Sequence, residues 1–301
     1  MSELLGTILE RDGSAYRVST GDTTVRAVLR GKAKRGDLRA VVGDVVRLAP
    51  EPGGEVFGIV AVQPRRSLLA RRVPDSRGAR AIAANLDHVF VVTATASPAP
   101  IPQLIDRLLA VGEANGLPVA VVLNKIDLDP GLGLERRLRA AGYEVFRTSA
   151  RTGEGIDRLR GALMGSTSVV TGPSGAGKSS LLNAIQPGLR LRTGEISAKV
   201  GRGRQTTVGA VMVPLVGGGY LMDTPGFSEV GLWGIEPGAL AECFPEMRPL
   251  IGRCRYADCR HVAEPGCGVR AAVEAGQIAA DRYQSYRALL EEIESQPEDW
   301  E

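Results

Sequence analysis

The eight residues Gly172-Pro173-Ser174-Gly175-Ala176-Gly177-Lys178-Ser179 have the composition that a polyphosphate demands. Glycines let backbone N–H groups turn inward around phosphate oxygens, Lys178 can reach the terminal phosphates, and Ser179 can ligate magnesium. A second group, Asn124-Lys125-Ile126-Asp127, suits a purine base. A carboxylate is a pure acceptor, so Asp127 can take the N1 and exocyclic N2 donors of guanine, an arrangement that adenine lacks. Lys125 can lay its methylenes along the base while Asn124 holds the neighbouring loops together. Three shorter segments complete the chemistry. Thr148-Ser149-Ala150 would present the Ala150 N–H to guanine O6. Asp223-Thr224-Pro225-Gly226 suits an Asp that holds magnesium through water and a Gly226 N–H that meets the γ-phosphate. Gly203-Arg204-Gln205-Thr206-Thr207 supplies a hydroxyl for magnesium and the γ-phosphate, from either Thr206 or Thr207.

Elements that could position these groups are visible around them. Residues 168–171 read as the end of a buried strand, and Ser179-Ser180-Leu181-Leu182-Asn183-Ala184-Ile185 opens a helix, so a helix N-terminus points at the anion. The apolar run Val119 to Leu123 reads as a buried parallel strand that brings Asn124 to the carboxyl edge of a sheet, where ligands bind in such folds. Glu144 to Arg147 and Tyr220 to Met222 read as further strands, and Pro102 to Leu109 has helical spacing. Alternating strands and helices from Val89 to Phe227 predict a doubly wound α/β core, within which His88 is structural. The order is inverted: an ordinary GTPase meets the phosphate loop before the base-reading tetrapeptide. A circularly permuted core keeps the same pocket, because a pocket depends on where side chains end up rather than on chain order.

Three of the four cysteines fall within fourteen residues, as Cys254-x4-Cys259-x-His261-x5-Cys267. Three thiolates and one imidazole form a closed tetrahedral set suited to one structural zinc ion, with no position left for a reactive water. Cys243 stands apart and reads as a small core residue. Residues Val269 to Glu294, with Tyr283, Tyr286, Leu289 and Leu290, read as helical and are expected to pack on this module.

Residues 5–64 carry short strand-like runs: Thr7 to Glu10, Tyr16 to Ser19, Thr24 to Leu29, Val41 to Leu48 and Val56 to Val62. Strands this short and closely spaced predict a five-stranded OB-type barrel. The alternation Val25-Arg26-Ala27-Val28-Leu29-Arg30 turns arginines outward, while Tyr16 and Phe57 are the only aromatics here, so phosphate and shape contacts to RNA are expected rather than base reading. Residues 65–82, rich in arginine and turn formers, read as a basic linker or mobile loop. Net charge is only +3, but residues 1–80 hold fifteen Arg/Lys against nine Asp/Glu, and residues 234–301 hold seven against thirteen. That asymmetry places an anionic partner at the front of the molecule. With 301 residues, 44% apolar and 24% charged, the composition is that of a globular chain of two or three domains. No apolar run reaches the length of a membrane span, and the N-terminus lacks the features of a secretion signal, so a cytoplasmic location without membrane contact is expected.

These motifs together resemble the circularly permuted GTPases of the RsgA type, the small-ribosomal-subunit-dependent GTPases of bacteria, over nearly the whole chain. The resemblance implies an α/β P-loop GTPase core with an N-terminal OB-type β-barrel and a C-terminal helical zinc-binding module. It places the RNA-binding barrel at 1–64, the linker at 65–82, the GTPase domain at 83–232 and the zinc module at 233–301. It implies GTP and GDP as ligands, magnesium on Ser179 and Asp223, and zinc on Cys254, Cys259, His261 and Cys267. The small ribosomal subunit and its rRNA are the implied partners, with hydrolysis stimulated by that subunit during its late maturation; the protein itself is expected to be a monomer. The chain departs from the pattern in one place, with Gln205 where family members commonly carry His before the paired threonines. Phe227 stands where many GTPases have a water-orienting Gln, so intrinsic hydrolysis should be slow and Gln205 is the candidate that positions water. Because the Asp223–Gly226 element runs directly into the cysteine module, nucleotide state is expected to reorient that module. The alternative is an RNA-binding assembly factor in which nucleotide sets affinity and hydrolysis is incidental. An ATP-dependent kinase is disfavoured by Asp127.

Overall fold

The structure is a computed structural model and describes residues 4–21, 23–30, 39–51, 53, 55–72, 79–189, 210–223, 232 and 235–295. Five strands, β1 (Leu4–Asp12), β2 (Ala15–Ser19), β3 (Thr24–Leu29), β4 (Val45–Pro50) and β5 (Phe57–Val62), pair in the order β1-β2-β3-β5-β4. Pairing of β4 back onto β1 closes them into a barrel, as the short alternating runs predict. Arg17 and Arg26 point outward between the buried Tyr16, Val18 and Ala27. The run Val41 to Leu48 becomes a strand only at Val45. Gly43, at φ +87°, makes a turn in which a Cβ would lie 2.0 Å from the Ala84 carbonyl oxygen. The fully buried Asp44 carboxylate then accepts from the Val41 N–H at 2.8 Å and from both faces of the Arg65 fork at 2.7 and 2.8 Å.

The segment that reads as a linker or mobile loop is largely an antiparallel ribbon of β6 (Leu68–Arg72) and β7 (Ala79–Ala84). Leu69, Ala83 and Ala84 are completely buried, so this ribbon belongs to the core. Its apolar face consists largely of alanines, which carry a weak strand signal.

The α/β core runs β8 (His88–Ala94), α1 (Pro102–Ala114), β9 (Val119–Asn124), α2 (Leu132–Ala140), β10 (Glu144–Arg147), α3 (Ile156–Leu163), β11 (Thr167–Thr171), α4 (Lys178–Ile185), β12 (Val211–Pro214) and β13 (Tyr220–Asp223). Its strand order is β10-β9-β8-β11-β13-β12, all parallel except β12. Nearly continuous apolar strands serve a sheet covered on both faces. Val89, Val91, Val121, Leu123 and Val145 face α1 and α2 through Ile105, Leu108 and Leu138. Phe90, Val92, Val122, Phe146 and Val170 face α3 and α4 through Leu159, Leu163, Leu181 and Leu182. A single pairing, Glu10 with Val211, joins the barrel to the β12 edge, so eleven strands form one sheet. His88 lies 6.0 Å from the Phe90 ring, the structural place expected of it.

Beyond the core come 3-10 turns at Pro237–Cys243 and Arg248–Leu250, then α5 (Gly268–Glu274) and α6 (Ala280–Ser295). The helical tail is thus two helices. Tyr286 meets Phe244 edge to face at 5.4 Å, and α6 packs against α1. Cys243 is buried, and burial pushes its thiol up to about 12, which makes it a core side chain rather than a nucleophile. No described helix is long and apolar enough to cross a membrane.

Candidate active site and metal centre

Strand register brings the separate motifs to one edge of the sheet. β8, β9 and β11 are neighbours, with Ala94 opposite Asn124 and Val91 opposite Thr171, so the base-reading turn and the phosphate loop leave adjacent carboxyl ends. Gly172 to Gly177 form the turn between β11 and α4, and Lys178 is the first residue of the helix. Gly177 sits at φ +85°, where a Cβ would lie 2.5 Å from Asn124 Nδ2, so only glycine allows the two loops to approach this closely. Ala176 is fully buried and anchors the loop, whereas Ser174, Gly175, Ser179 and Ser180 are exposed at its rim. The Lys178 ammonium is held across the loop by the carbonyls of Gly172 at 2.7 Å and Pro173 at 2.9 Å.

Asn124 is the clasp between the halves of the site. Its side chain, 1% exposed, donates from Nδ2 to the Ala176 carbonyl at 3.0 Å and accepts at Oδ1 from the Thr148 hydroxyl at 3.3 Å and the Ala150 N–H at 3.2 Å. One amide therefore joins the phosphate loop to both base-side loops, the joining role expected from its residue type. The Ala150 N–H, expected to face guanine O6, is engaged here by Asn124. Asp127 accepts from the Ser149 hydroxyl and, at 2.8 Å, from Arg151 Nε. Ser149 and then Arg151 hold its carboxyl below the usual range, so the acceptor is ionised at neutral pH.

Three contributors are not evident from the motifs. Arg151 orients Asp127, and the only sequence hint is its place directly after Ala150. Ser97 accepts the Lys125 ammonium at its carbonyl, and Pro98 lies 3.0 Å from where a Gly175 Cβ would stand. Both belong to the loop that leaves the first core strand, and the position of that loop at the carboxyl edge is the signal that could have flagged them.

Asp223 ends β13, two strands from β8 and next to β11, with Met222 opposite Val169. Its backbone reaches the same edge as the phosphate loop. Gly203, Arg204, Gln205, Thr206, Thr207, Thr224, Pro225, Gly226, Phe227 and Trp233, like the Asp223 side chain, lie outside what the structure describes.

A model of the RsgA GTPase family matches residues 62–233, more than half of the chain. The chain belongs to this family. Among curated relatives, the small ribosomal subunit biogenesis GTPase RsgA of Gemmatimonas aurantiaca is 48% identical over 297 residues, covering 96% of this chain and 97% of that protein. The protein of the same name from Moorella thermoacetica is 44% identical over 291 residues, with 96% and 97% covered. The crystal structure of YjeQ from Thermotoga maritima superposes with a TM-score of 0.83 at 34% identity, covering 98% of this chain and all of that one. YloQ, described as a circularly permuted GTPase, superposes at 0.78 with 27% identity, over 99% and 97%. As an RsgA GTPase, the chain is a circularly permuted GTP hydrolase, and the clasp at Asn124 joins the loop at 172–177 to the segments at 124–127 and 148–150 despite their inverted order in the chain.

The cysteine module makes a second centre. Cys254 Sγ and Cys267 Sγ are 3.9 Å apart, and His261 Nδ1 lies 3.4 Å from each. With Cys259, all four ligand atoms lie within 4.8 Å of one another. Bonds of about 2.3 Å to sulfur and 2.0 Å to nitrogen in a tetrahedron require edges of roughly 3.5–3.8 Å, so the set fits a metal ion. Backbone N–H groups of Gly268 and Arg270 point at Cys254 Sγ and Cys267 Sγ at 3.3 and 3.4 Å, the outer support that thiolate ligands need. Tyr283 and Tyr286 on α6 donate to the carbonyls of His261 at 2.7 Å and Arg260 at 2.8 Å, so the helix holds the ligand loop from behind. Glu264 closes the loop by accepting from the N–H groups of Arg260, Val262 and Ala263.

Proposed function

We propose that this GTPase acts on the small ribosomal subunit, hydrolysing GTP in response to that subunit and assisting its late maturation. The Asn124 clasp carries the nucleotide part of this reading, since it ties the guanine-reading turn to the phosphate loop. The ribosomal part is supported by relatives of that name that match almost end to end. In the proposed site Asp127 reads N1 and N2 of guanine, assisted by Asn124, Lys125, Ser149 and Ala150. The backbone of Gly172 to Gly177 receives the phosphates, with Lys178 on the terminal oxygens and Ser180 in the first helical turn. Ser179 and Asp223, on adjacent elements of one edge, would hold magnesium, which supplies positive charge to the phosphates. Gly226 and one of Thr206 and Thr207 would meet the γ-phosphate, and Gln205 would orient the attacking water.

The domains are taken as 1–64, 65–82, 83–232 and 233–301, in a cytoplasmic monomer. The barrel is the RNA-facing part: Arg11, Arg17, Arg26 and Arg30 are exposed there, within the segment that carries the cationic surplus. Cosedimentation with isolated small subunits in GDP, GTP and a non-hydrolysable analogue, followed by phosphate release, tests the reading. Tighter association with the GTP forms and faster release on the subunit are expected; equal association and unstimulated release would refute it. Gln205→Ala is expected to lower the stimulated rate by about tenfold, a fraction of what a displaced nucleophile can cost. Full stimulated turnover in that variant would remove Gln205 from the role.

The metal in the second centre is taken to be zinc. Elemental analysis should find about one zinc per chain, and Cys267→Ser, which removes a thiolate ligand while leaving a hydroxyl able to cap α5, should lose it together with part of the thermal stability. Unchanged metal content in Cys267→Ser would show that this cluster is not the site.

A further inference from the structure

Thr95 is a buried residue just beyond β8, 7% exposed, with no place in the phosphate-loop or base-reading motifs. Its backbone N–H donates to the Asn124 carbonyl at 2.9 Å. Its hydroxyl lies 3.0 Å from the Lys125 carbonyl and 3.3 Å from that of Asn124, and so gives its one proton to this pair. The braced residues are the two that open the base-reading turn, and Lys125 stands at φ +65°, a conformation that side chains other than glycine adopt only when the surroundings hold it. The Lys125 carbonyl also receives the Leu128 N–H at 2.9 Å, which closes the turn bearing Asp127. Two residues further on, the Ser97 carbonyl takes the Lys125 ammonium. One short stretch thus grips Lys125 at both its backbone and its side-chain end.

We propose that Thr95 is a positioning residue for guanine selectivity: its hydroxyl holds the Asn124–Asp127 turn in the conformation that aims Asp127 at the 2-amino edge of the base. The proposal rests on assigning that turn to the base. Its test compares the affinities of GDP and IDP, whose base lacks the 2-amino group, for the full chain and three variants. Thr95→Val removes the hydroxyl at constant shape and is expected to weaken GDP by about tenfold, the scale of one net hydrogen bond. IDP should weaken less, so that the GDP-over-IDP preference shrinks. Thr95→Ser, which keeps the hydroxyl, should restore both affinity and preference. Thr95→Ala repeats the measurement if valine is not tolerated.

A hydroxyl-free variant that binds GDP as the wild type does, or that weakens GDP and IDP equally, overturns the proposal, since a merely structural residue would leave the preference unchanged. A Thr95→Ser variant as weak as Thr95→Val does the same. Asp127→Asn, tested with GDP and the xanthine nucleotide, separates this failure from failure of the base assignment. An amide there can donate to the xanthine 2-oxygen, so preference should move to xanthine. If it does not, Asp127 does not read the base and the role given to Thr95 falls with it.

Discussion

Lys178→Ala will lower GTP turnover by about 100- to 1,000-fold, the range seen when one preorganised donor to developing transition-state charge is removed. Phosphoryl transfer leaves little covalent work to the protein, so rate comes from position and charge neutralisation. The Lys178 ammonium stands over the loop on the carbonyls of Gly172 and Pro173, at the head of α4. Removing it deletes the cation and frees the loop. Single-turnover phosphate release at saturating GTP measures the first effect, and GDP affinity measures the second. Lys178→Arg should remain slow, because a planar fork is not a compact ammonium on a four-carbon stem. Turnover of Lys178→Ala within tenfold of the wild type would remove the phosphate loop from the mechanism.

The second large effect lies far from the nucleotide, at the junction between core and cysteine module. Asp106 on α1 is completely buried and receives Arg137 from α2 and Arg282 from α6. Arg282, 1% exposed, also pairs with Glu246 at 2.6 Å and lies 4.6 Å over the Phe244 ring, while Arg137 also reaches Asp281. At the rim, Arg107 pairs with Glu292, and Arg248 with Glu113. Asp106→Ala would leave two buried guanidinium groups without their shared anion, at a cost of about 3–5 kcal/mol. A fall in the thermal midpoint on the order of 10 °C is expected. Scanning calorimetry checks it, and an unchanged midpoint would show that the network does not hold the junction.

The same group sets an acid limit. Burial pushes the Asp106 carboxyl up, but Arg137 and Arg282 outweigh it and hold the group below the ordinary aspartate range. A carboxyl depressed in the folded state contributes stability above its unfolded value near pH 4 and loses it as pH falls through the lower folded value. Asp106→Asn should therefore flatten the decline of stability below about pH 4. The network also bears on the reorientation expected from the switch sequence. α6 is tied through Asp106 and Arg107 to α1, itself packed on the core sheet, so distance labels on α1 and α6 are expected to report the same separation in GDP and in a GTP analogue, a result that would count against that reorientation.

Residue type and spacing alone were enough for the parts of this protein whose chemistry is local. The phosphate loop, the Asn-Lys-Ile-Asp segment at 124–127 and the cluster of Cys254, Cys259, His261 and Cys267 each gather their polar groups within a short stretch, so composition and interval already specify geometry. Short strand-like runs at close spacing predict the barrel for the same reason. Permutation could be read from order, because the motifs keep their strand and helix contexts whichever way the chain is cut.

What only the folded chain decided is every contact between segments far apart in sequence. Asn124 meets Ala176 across 52 residues, Thr95 meets Lys125 across 30, and Arg282 meets Asp106 across 176. The arginine-rich stretch after the barrel reads as a linker or mobile loop because a run of alanines carries little strand signal, and only packing turned it into β6 and β7. Arg282 has a similar history: in a list of charges it is one more surface cation, and it becomes the centre of a buried junction only where two carboxylates converge on it. Hydrogen bonds and ion pairs depend on distances of a few ångströms and on burial, and neither is written in the order of residues.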